Sequence, residues 1–440
     1  MLCHLRQRLS RGRLSRRVAL NSAWLLADRV VRLGIGVVVG AWVARYLGPI
    51  AFGKLAYATA IAGLFVAISE LSLESITVRA LVARPEATPR LLGSALVMRF
   101  WGGLAGVALS CITGWLLRAD DVLILIMVAL VASTFLVTPL NVAEFIFQAR
   151  LENRVPVAAR FAAFIVTNVL RIALVLGGAS VVAFAVVPLV ECVLGVIALA
   201  AFLRGAGLSV WSWRFDREEA VELARQATPL IAAGFAALMV LRLDQLLIGQ
   251  ILGDKAVGIY AAAARLTEAA QFALAGLAIP LLPAMLALRA HDPARYRLES
   301  ERLFTILLGV GIAAAIVVSL AAPAIVRLLY GPDYEETIGV LRIHAWSLAF
   351  GAVGVAVGSY LIAEGLTWFA LFRAGGALLV NVALNVVLLP RLGVEGAAWA
   401  ALGASAAALL LLLLPVRTRT LGRMLASASV GGWWFRQKNT

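Results

Sequence analysis

The amino-acid sequence predicts an all-α protein that crosses a membrane about twelve times. Three observations support this prediction: 62% of the 440 residues are hydrophobic, only 14% are charged, and long apolar runs recur along the whole chain. A soluble domain is roughly 45–50% apolar and about 25% charged, so this chain has more apolar surface than a water-soluble core could bury. The alternating segments of about ten residues that a transmembrane β-barrel needs are absent. These features exclude a soluble enzyme, a disordered chain and a disulfide-stabilised secreted protein.

The individual spans are predicted from apolar runs that short polar or Gly- and Pro-containing breaks separate. A helix needs about 20 apolar residues to cross the hydrocarbon core of a bilayer. The twelve predicted spans are 20–44, 54–78, 91–117, 122–147, 156–177, 180–203, 226–252, 257–288, 303–327, 338–363, 367–389 and 395–416.

Lysine and arginine are distributed unevenly around these spans. Of the 39 basic residues, 24 lie in the N-terminal segment, the even-numbered loops and the C-terminal segment. Six lie in the odd-numbered loops, when Lys54 and Arg327 at the very ends of their spans are counted there, and nine lie inside spans. Because cytoplasmic loops of membrane proteins are enriched in Lys and Arg, both termini are predicted to be cytoplasmic. The net charge of +15 is therefore explained by basic residues on the cytoplasmic side of the membrane. Because this charge needs no nucleic acid to explain it, nucleic acid is excluded as a partner.

The two ends of the chain, 1–19 and 417–440, are predicted to be a basic cytoplasmic arm and a basic cytoplasmic tail. The apolar stretch that follows the arm is too long for the core of a cleaved signal peptide. Basic segments of this kind orient the protein and contact anionic lipid head groups, so anionic lipids are predicted partners.

Two sets of matches indicate an internal repeat. Residues 46–53 read YLGPIAFG and residues 251–258 read ILGDKAVG, so Leu-Gly-x4-Gly recurs at an offset of 205 residues. The fifth and eleventh spans match at an offset of 213 residues, where Arg160 corresponds to Arg373 and Asn168 corresponds to Asn381. The repeat predicts two six-helix halves of the same orientation, because six is an even number of spans.

The predicted domains follow from this repeat. Residues 20–203 form the N-terminal bundle, 204–225 form a cytoplasmic linker, and 226–416 form the C-terminal bundle. Two parallel bundles enclose a central cleft near their pseudo-symmetry axis, where a rocking-bundle transporter binds its substrate.

Enzymatic motifs and metal-binding patterns are absent from the sequence. No P-loop, dinucleotide-binding fingerprint or nucleophile elbow occurs in a suitable context, and the loops are too short for a catalytic domain. The three cysteines and three histidines are scattered without ligand spacing. The sequence therefore predicts neither an enzyme nor a metal or other bound cofactor.

Ionisable residues inside the predicted spans are the candidate functional residues, because each costs about 2.5–3.5 kcal/mol on insertion scales. All nine basic ones are arginine, whose guanidinium binds phosphate through two hydrogen bonds and stays charged when desolvated. We therefore predict a basic lumen that binds a pyrophosphate group. The arginines predicted to line it are Arg29, Arg32, Arg160, Arg242, Arg265 and Arg373.

Structural explanations of these arginines stay open. Asp28 and Arg32 lie four residues apart, and Arg265 and Glu268 lie three apart, so ion pairs within one helix would explain them without a ligand. The arginines near span ends, whose side chains can instead snorkel to the interface, are Arg99, Arg171 and Arg342.

Acidic residues inside spans are candidates for binding a coupling ion, either a proton or sodium. Glu70 and Glu74 are predicted to share one face of the second span, where two close carboxylates favour protonation of one of them. The alternative is that they compensate the charge of nearby arginines. The coupling candidates are Asp28, Glu70, Glu74, Asp244 and Glu268.

Four stretches along the chain carry a family likeness. They are 45–53 (RYLGPIAFG), 244–266 (DQLLIGQILGDKAVGIYAAAARL), 329–334 (LYGPDY) and 384–400 (LNVVLLPRLGVEGAAWA). Together they resemble the polysaccharide flippase (Wzx-like) family, which belongs to the multidrug, oligosaccharidyl-lipid and polysaccharide exporter superfamily. The resemblance covers essentially the whole chain.

This resemblance implies a bacterial inner-membrane transporter with ion coupling and alternating access between two bundles. Its implied substrate is an undecaprenyl-diphosphate-linked oligosaccharide, moved from the cytoplasmic to the periplasmic leaflet for assembly of O-antigen, capsule or exopolysaccharide. Such a transporter either works together with a polysaccharide polymerase and glycosyltransferases or works alone, and the sequence leaves both alternatives open.

Other classes remain as alternatives. A cation-coupled multidrug antiporter of the same superfamily would have a more apolar, acid-lined pocket and fewer intramembrane arginines. A lipid II flippase shares the plan but usually has two further C-terminal spans. A scramblase would exchange lipids without an ion gradient, and a membrane glycosyltransferase is disfavoured by the short loops.

Overall fold

The structure is a computed structural model that describes residues 2–205, 212–278, 292–363 and 366–413, with side chains from Val31 onward in the first helix. All regular secondary structure in these ranges is helical. The predicted all-α fold is therefore confirmed for the described part of the chain.

Sixteen α-helices are described, and four short 3-10 segments lie between or after them. The α-helices are α1 Leu2–Leu64, α2 Val66–Glu70, α3 Glu74–Ala83, α4 Thr88–Arg118, α5 Val122–Ala132, α6 Thr134–Val137, α7 Glu144–Ala149, α8 Arg154–Leu176, α9 Val181–Gly205, α10 Arg217–Ile251, α11 Asp254–Ala278, α12 Pro293–Leu329, α13 Thr337–His344, α14 Ser347–Ala363, α15 Thr367–Leu392 and α16 Val394–Leu410. The 3-10 segments are Pro85–Ala87, Thr138–Ala143, Pro332–Tyr334 and Leu411–Leu413.

Nine stretches of the described helices are long and apolar enough to cross a membrane, and α16 is a shorter apolar helix. The stretch Val31–Leu64 includes most of the first predicted span and the start of the second. Helix α11 corresponds to the eighth predicted span, and its charged residues, Asp254, Lys255, Arg265 and Glu268, lower its hydropathy. A multi-pass membrane protein is thus supported, and the number twelve stays a prediction.

The second, fourth and tenth predicted spans are not continuous helices, and the tenth is divided between α13 and α14. In the second, predicted over 54–78, the chain leaves the helix after α2, where Leu71 and Ser72 have φ values of 53° and 49°. A left-handed conformation costs an L-residue about 1–2 kcal/mol, so the surrounding structure must hold these residues in place. The fourth, predicted over 122–147, is broken between α5 and α7, where Pro139 lacks the N–H group that a continuing helix requires.

The helices pack into two compact units, which divide the chain differently from the predicted bundles. Of the described residues, those within 1–39 and 61–235 form the first unit, and those within 40–60 and 236–440 form the second. Residues of the predicted linker pack within the first unit because Arg84 forms two hydrogen bonds with Glu219, both of 2.9 Å. Leu91, Phe145 and Leu223 contribute to the apolar core of this unit.

The second unit has its own core, in which Phe304, Leu348 and Val357 are buried. Segment 40–60 is tied into this unit by Tyr334, whose hydroxyl donates a hydrogen bond of 2.8 Å to the Ala44 carbonyl. Burial raises the pKa of the Tyr334 hydroxyl above its ordinary value, so the group stays protonated and remains a donor.

The two copies of Leu-Gly-x4-Gly make reciprocal contacts within the second unit. The first glycine of each motif has a positive φ, 71° at Gly48 and 86° at Gly253. A Cβ atom on the last glycine would overlap a backbone carbonyl of the other motif: Gly53 meets Asp254, and Gly258 meets Pro49. Because both the conformation and the contact repeat at the same offset of 205 residues, the geometry supports the predicted repeat.

We expect Gly53→Val and Gly258→Val each to destabilise the protein, because a side chain at either position forces the two backbones apart. Overpacking of this kind costs about 1–3 kcal/mol. The matched control is Gly309→Val, since a Cβ there has no atom within 4 Å. Thermal unfolding of the full chain in detergent measures the difference, and equal melting temperatures for all three variants would contradict the close crossing.

Candidate functional site

A polar cavity of about 650 Å³ lies in the first unit, beside the breaks in the second and fourth predicted spans. The breaks turn polar side chains from α2, α3 and α7 toward the same space, which α4 and α8 complete. Its charged and amide lining comprises Glu70, Glu74, Arg79, Arg99, Asn141, Glu144, Gln148 and Arg160. We call this space the polar cavity.

Two ion pairs line the polar cavity. The guanidinium of Arg99 lies 3.6 Å from a carboxylate oxygen of Glu70, and its side chain is only 7% exposed. The same guanidinium lies 5.8 Å from the centre of the Phe145 ring. Arg160, one of the predicted lumen arginines, lies 3.0 Å from Glu144, and its side chain is 47% exposed. Snorkelling to the interface, one alternative for Arg99, does not describe this side chain, which is buried beside a charged and an aromatic partner.

Glu70 and Glu74 both line the polar cavity, but they do not share a helix face as predicted. The break at Leu71 and Ser72 places the two glutamates on different helices. Glu74 accepts a hydrogen bond of 2.9 Å from the Gln148 side-chain amide, while Glu70 faces Arg99. Charge compensation, which was the alternative to a coupling role, therefore accounts for Glu70.

The other arginines of the first unit have aromatic or acidic neighbours. The Arg32 guanidinium lies 4.9 Å from the centre of the Phe164 ring. Arg171, expected to snorkel, lies 3.5 Å from Glu191. Arg29 and Asp28 fall outside the part of the chain whose side chains are described.

In the second unit, Asp244 is a buried carboxylate surrounded by neutral groups. The residue is 4% exposed. It accepts a hydrogen bond of 2.7 Å from the Tyr260 hydroxyl and one of 2.8 Å from the Asn385 amide. Asn381 is also buried, and its backbone carbonyl accepts a hydrogen bond of 2.9 Å from Asn385. Among the described residues, no lysine or arginine lies within ion-pair distance of Asp244.

Three further charged candidates lie on α10 and α11. Two of them form an ion pair with each other, and the third packs on an aromatic ring. Arg242 lies 3.3 Å from Glu268. Arg265 lies three residues before Glu268, a separation that would allow an ion pair within the helix. Its guanidinium instead lies 4.8 Å from the centre of the Phe52 ring. Arg242 and Glu268 therefore have a structural explanation as a pair.

Arg373 lies in a different environment, a second cavity of about 610 Å³ in the second unit. Apart from Arg373 and Ser405, the lining of this space is apolar, and we call it the apolar cavity. Of the predicted lumen arginines, Arg160 thus lines the polar cavity and Arg373 lines the apolar cavity.

Several residues of these sites have only weak signals in the sequence. Gln148 and Tyr260 carry no formal charge, so the search for charged residues inside spans does not identify them. Asn381 and Asn385, four residues apart in an apolar run, are a signal that could have identified the neighbours of Asp244. Polar residues at helical spacing inside a span deserve the same weight as charged ones, since each needs a partner.

Comparison with known proteins gives a family and a fold. Residues 42–339 match the profile of a family described as "Polysaccharide biosynthesis protein". A comparison with curated proteins gives no match. An inward closed structure of the lipid II flippase MurJ is similar, with a TM-score of 0.70 and 14% identity over 94% of this chain and 91% of that chain.

Two further solved structures share the fold. An inward-facing multidrug resistance MATE family transporter of the MOP superfamily has a TM-score of 0.66 and 17% identity, over 92% of this chain and 95% of that chain. A MOP superfamily transporter from Pyrococcus furiosus has a TM-score of 0.62 and 15% identity, over 93% of this chain and 96% of that chain. At these identities the likeness establishes the fold of this superfamily and nothing about the substrate.

We expect Glu70→Gln to destabilise the protein by about 1–3 kcal/mol, because it leaves the buried Arg99 without its carboxylate partner. The double variant Glu70→Gln/Arg99→Met removes the buried charge as well and should regain stability. The control is Glu335→Gln, whose ion pair with Arg327 is exposed and should contribute about 0.5 kcal/mol or less. Thermal unfolding in detergent measures all three, and a double variant less stable than Glu70→Gln would contradict the buried pair.

Proposed function

Because the chain belongs to the polysaccharide biosynthesis protein family, we propose that it is a flippase for an undecaprenyl-diphosphate-linked oligosaccharide. It moves the glycan from the cytoplasmic to the periplasmic leaflet of the bacterial inner membrane by alternating access. The product supplies surface polysaccharide assembly, of which O-antigen and exopolysaccharide are two outcomes. Both termini are cytoplasmic in this proposal.

The polar cavity is the observation that carries this proposal. It combines arginines, glutamates and amides within a chain that is 62% hydrophobic. Guanidinium groups donate hydrogen bonds to sugar hydroxyls, carboxylates accept them, and amides do both. Such a lining fits a hydroxylated glycan better than an apolar drug, which favours the glycolipid over multidrug export.

Within the polar cavity, we assign different tasks to the three arginines. Arg160 is 47% exposed on its side chain and Arg79 is exposed, so both are accessible to a ligand. Arg99 is buried, and its guanidinium lies 3.6 Å from Glu70. Head-group binding is therefore assigned to Arg79 and Arg160, and a positioning task is assigned to Arg99.

We further propose that Asp244 binds the coupling ion, either a proton or sodium. A buried carboxylate among neutral partners is costly in its ionised form, so it favours binding a proton or a small cation. The Asp244, Asn381 and Asn385 side chains offer the oxygen atoms that a hard cation prefers. Glu70 and Glu268 are weaker candidates because each already has an arginine partner.

The fold leaves room for one other substrate of the same class. A protein named a lipid II flippase has this fold, so the fold is compatible with a lipid-linked glycan. Lipid II is therefore the second candidate substrate, and the transport assay below includes it. A polysaccharide polymerase, glycosyltransferases and anionic lipids are proposed partners in the membrane.

Reconstitution tests the transport function directly. Full-length protein is placed in vesicles that contain an undecaprenyl-diphosphate-linked oligosaccharide, and a membrane-impermeant oxidant reports the glycan exposed outside. The oxidised fraction should rise above that of protein-free vesicles, and Arg160→Gln should reduce the rise. An unchanged oxidised fraction together with uptake of a cationic dye would contradict the flippase function, whereas movement of lipid II alone would identify the second candidate.

We expect Asp244→Asn to remove the dependence of this transport on an ion gradient, because asparagine neither titrates nor carries the charge that holds a cation. Transport is measured with a proton gradient and with a sodium gradient, each imposed separately. Glu335→Gln is the control, since Glu335 pairs with Arg327 at an exposed position. If Asp244→Asn responds to either gradient as the unmodified protein does, the ion site lies elsewhere.

A further inference from the structure

The apolar cavity is bounded by α10, α14, α15 and α16 of the second unit, and small residues form most of its wall. The small wall residues are Ala237, Gly351, Gly354, Gly358, Ala374, Ala377, Ala404 and Ala408. Larger apolar side chains, among them Phe350 and Leu409, complete the wall. Its volume of about 610 Å³ lies within the range of roughly 300–1,000 Å³ that is typical of small-molecule sites.

The polar groups of this cavity do not suit a sugar. Only Arg373 and Ser405 among its lining residues have polar side chains. The Ser405 hydroxyl donates a hydrogen bond of 2.8 Å to the Ala401 carbonyl within its own helix. A glycan with many hydroxyl groups would therefore lose hydrogen bonds to water here without replacing them.

Arg373 differs from four other intramembrane arginines in its charge environment. Arg99, Arg160, Arg171 and Arg242 each lie within 4.0 Å of a glutamate. In the described part of the chain, no carboxylate lies that close to the Arg373 guanidinium. Its Nε atom is buried and has no hydrogen-bond partner among the described groups. A partly buried cation in an apolar wall is costly, and an anionic ligand would compensate it.

The internal repeat explains how this environment arises. Arg373 corresponds to Arg160 at the offset of 213 residues. Arg160 faces Glu144 of the fourth predicted span, whereas Arg373 faces the tenth, where an ideal Cβ on Gly354 lies 3.5 Å from its Nη1. The second half therefore retains the arginine and has a glycine where the first half presents a carboxylate.

Resting on the proposed function, we infer that the apolar cavity binds the lipid end of the substrate: Arg373 pairs with the diphosphate, and the first isoprenoid units of the chain lie along the apolar wall. A polyprenyl diphosphate joins one strongly anionic group directly to an unsaturated hydrocarbon. That combination matches a single guanidinium in an apolar wall. The polar cavity and the apolar cavity then bind different parts of one class of molecule.

Binding of farnesyl diphosphate, a short soluble prenyl diphosphate, to the full-length protein in detergent tests this inference. Charge-assisted hydrogen bonds contribute enough that Arg373→Gln should weaken binding about 10- to 100-fold. Gly354→Glu should weaken it similarly, because the new carboxylate pairs with Arg373 and excludes the diphosphate. Arg327→Gln is the control and should bind as the unmodified protein does, since Arg327 lies in an exposed ion pair.

The apolar wall is tested separately from the charge. Ala408→Phe fills part of the cavity, so it should weaken binding of farnesyl diphosphate and leave binding of inorganic pyrophosphate unchanged. Pyrophosphate should bind the unmodified protein more weakly than farnesyl diphosphate. Size-exclusion profiles confirm that each variant is folded, and unchanged binding in folded Arg373→Gln or Gly354→Glu would overturn the inference. Equal affinities for the two diphosphates would overturn it as well.

The transport assay separates this inference from the proposed function. If the unmodified protein moves the glycolipid but binds farnesyl diphosphate independently of Arg373, the lipid site is wrong and the flippase function stands. If farnesyl diphosphate binds through Arg373 and no glycolipid is moved, the flippase function is wrong and the prenyl diphosphate site stands.

Discussion

A charge inside an apolar segment must be compensated, and this constraint organises the described structure. The four intramembrane ion pairs each join side chains from different helices: Arg99 with Glu70, Arg160 with Glu144, Arg171 with Glu191 and Arg242 with Glu268. Such pairs contribute little net stability, because desolvation offsets most of their attraction, but breaking one leaves an uncompensated charge. Ion pairing therefore fixes which helices must lie together, and the apolar residues around them supply the favourable free energy of packing.

Two charges of the second unit that lack such an ion pair belong to the proposed ion site and the proposed lipid site. Asp244 is held by a hydroxyl and an amide, and Arg373 faces a glycine in an apolar wall. Both lie in the second unit, while the first unit holds a cavity whose lining is densely charged. The repeat thus supplies the same helix pattern twice, and the two halves differ in which charges are compensated. In this interpretation the head group, the lipid diphosphate and the coupling ion bind at three separate places.

Much of the fold could be predicted from the sequence, because a helix in a bilayer needs a long and nearly uniform apolar run. The repeat at Gly53 and Gly258 was also visible, since close backbone crossings require glycine in both copies. Pro139 is a sequence signal for the break in the fourth span. The break at Leu71 and Ser72 was not predictable, because neither residue is glycine or proline and their conformation depends on tertiary contacts. The pairing of Arg160 with Glu144 depends on contacts between separate helices in the same way. The sequence therefore identified the charged residues, and the fold decided which of them have a partner.

The most direct test of the flippase function is mass spectrometry of the lipid extract from a strain that lacks this gene, compared with the same strain after the gene is restored. The flippase function predicts accumulation of one undecaprenyl-diphosphate-linked oligosaccharide in the deletion strain and its return to the original level on restoration. The mass of that species would identify the glycan. An unchanged lipid pool in a strain without a redundant paralogue would contradict the flippase function and favour export of a drug or another small molecule.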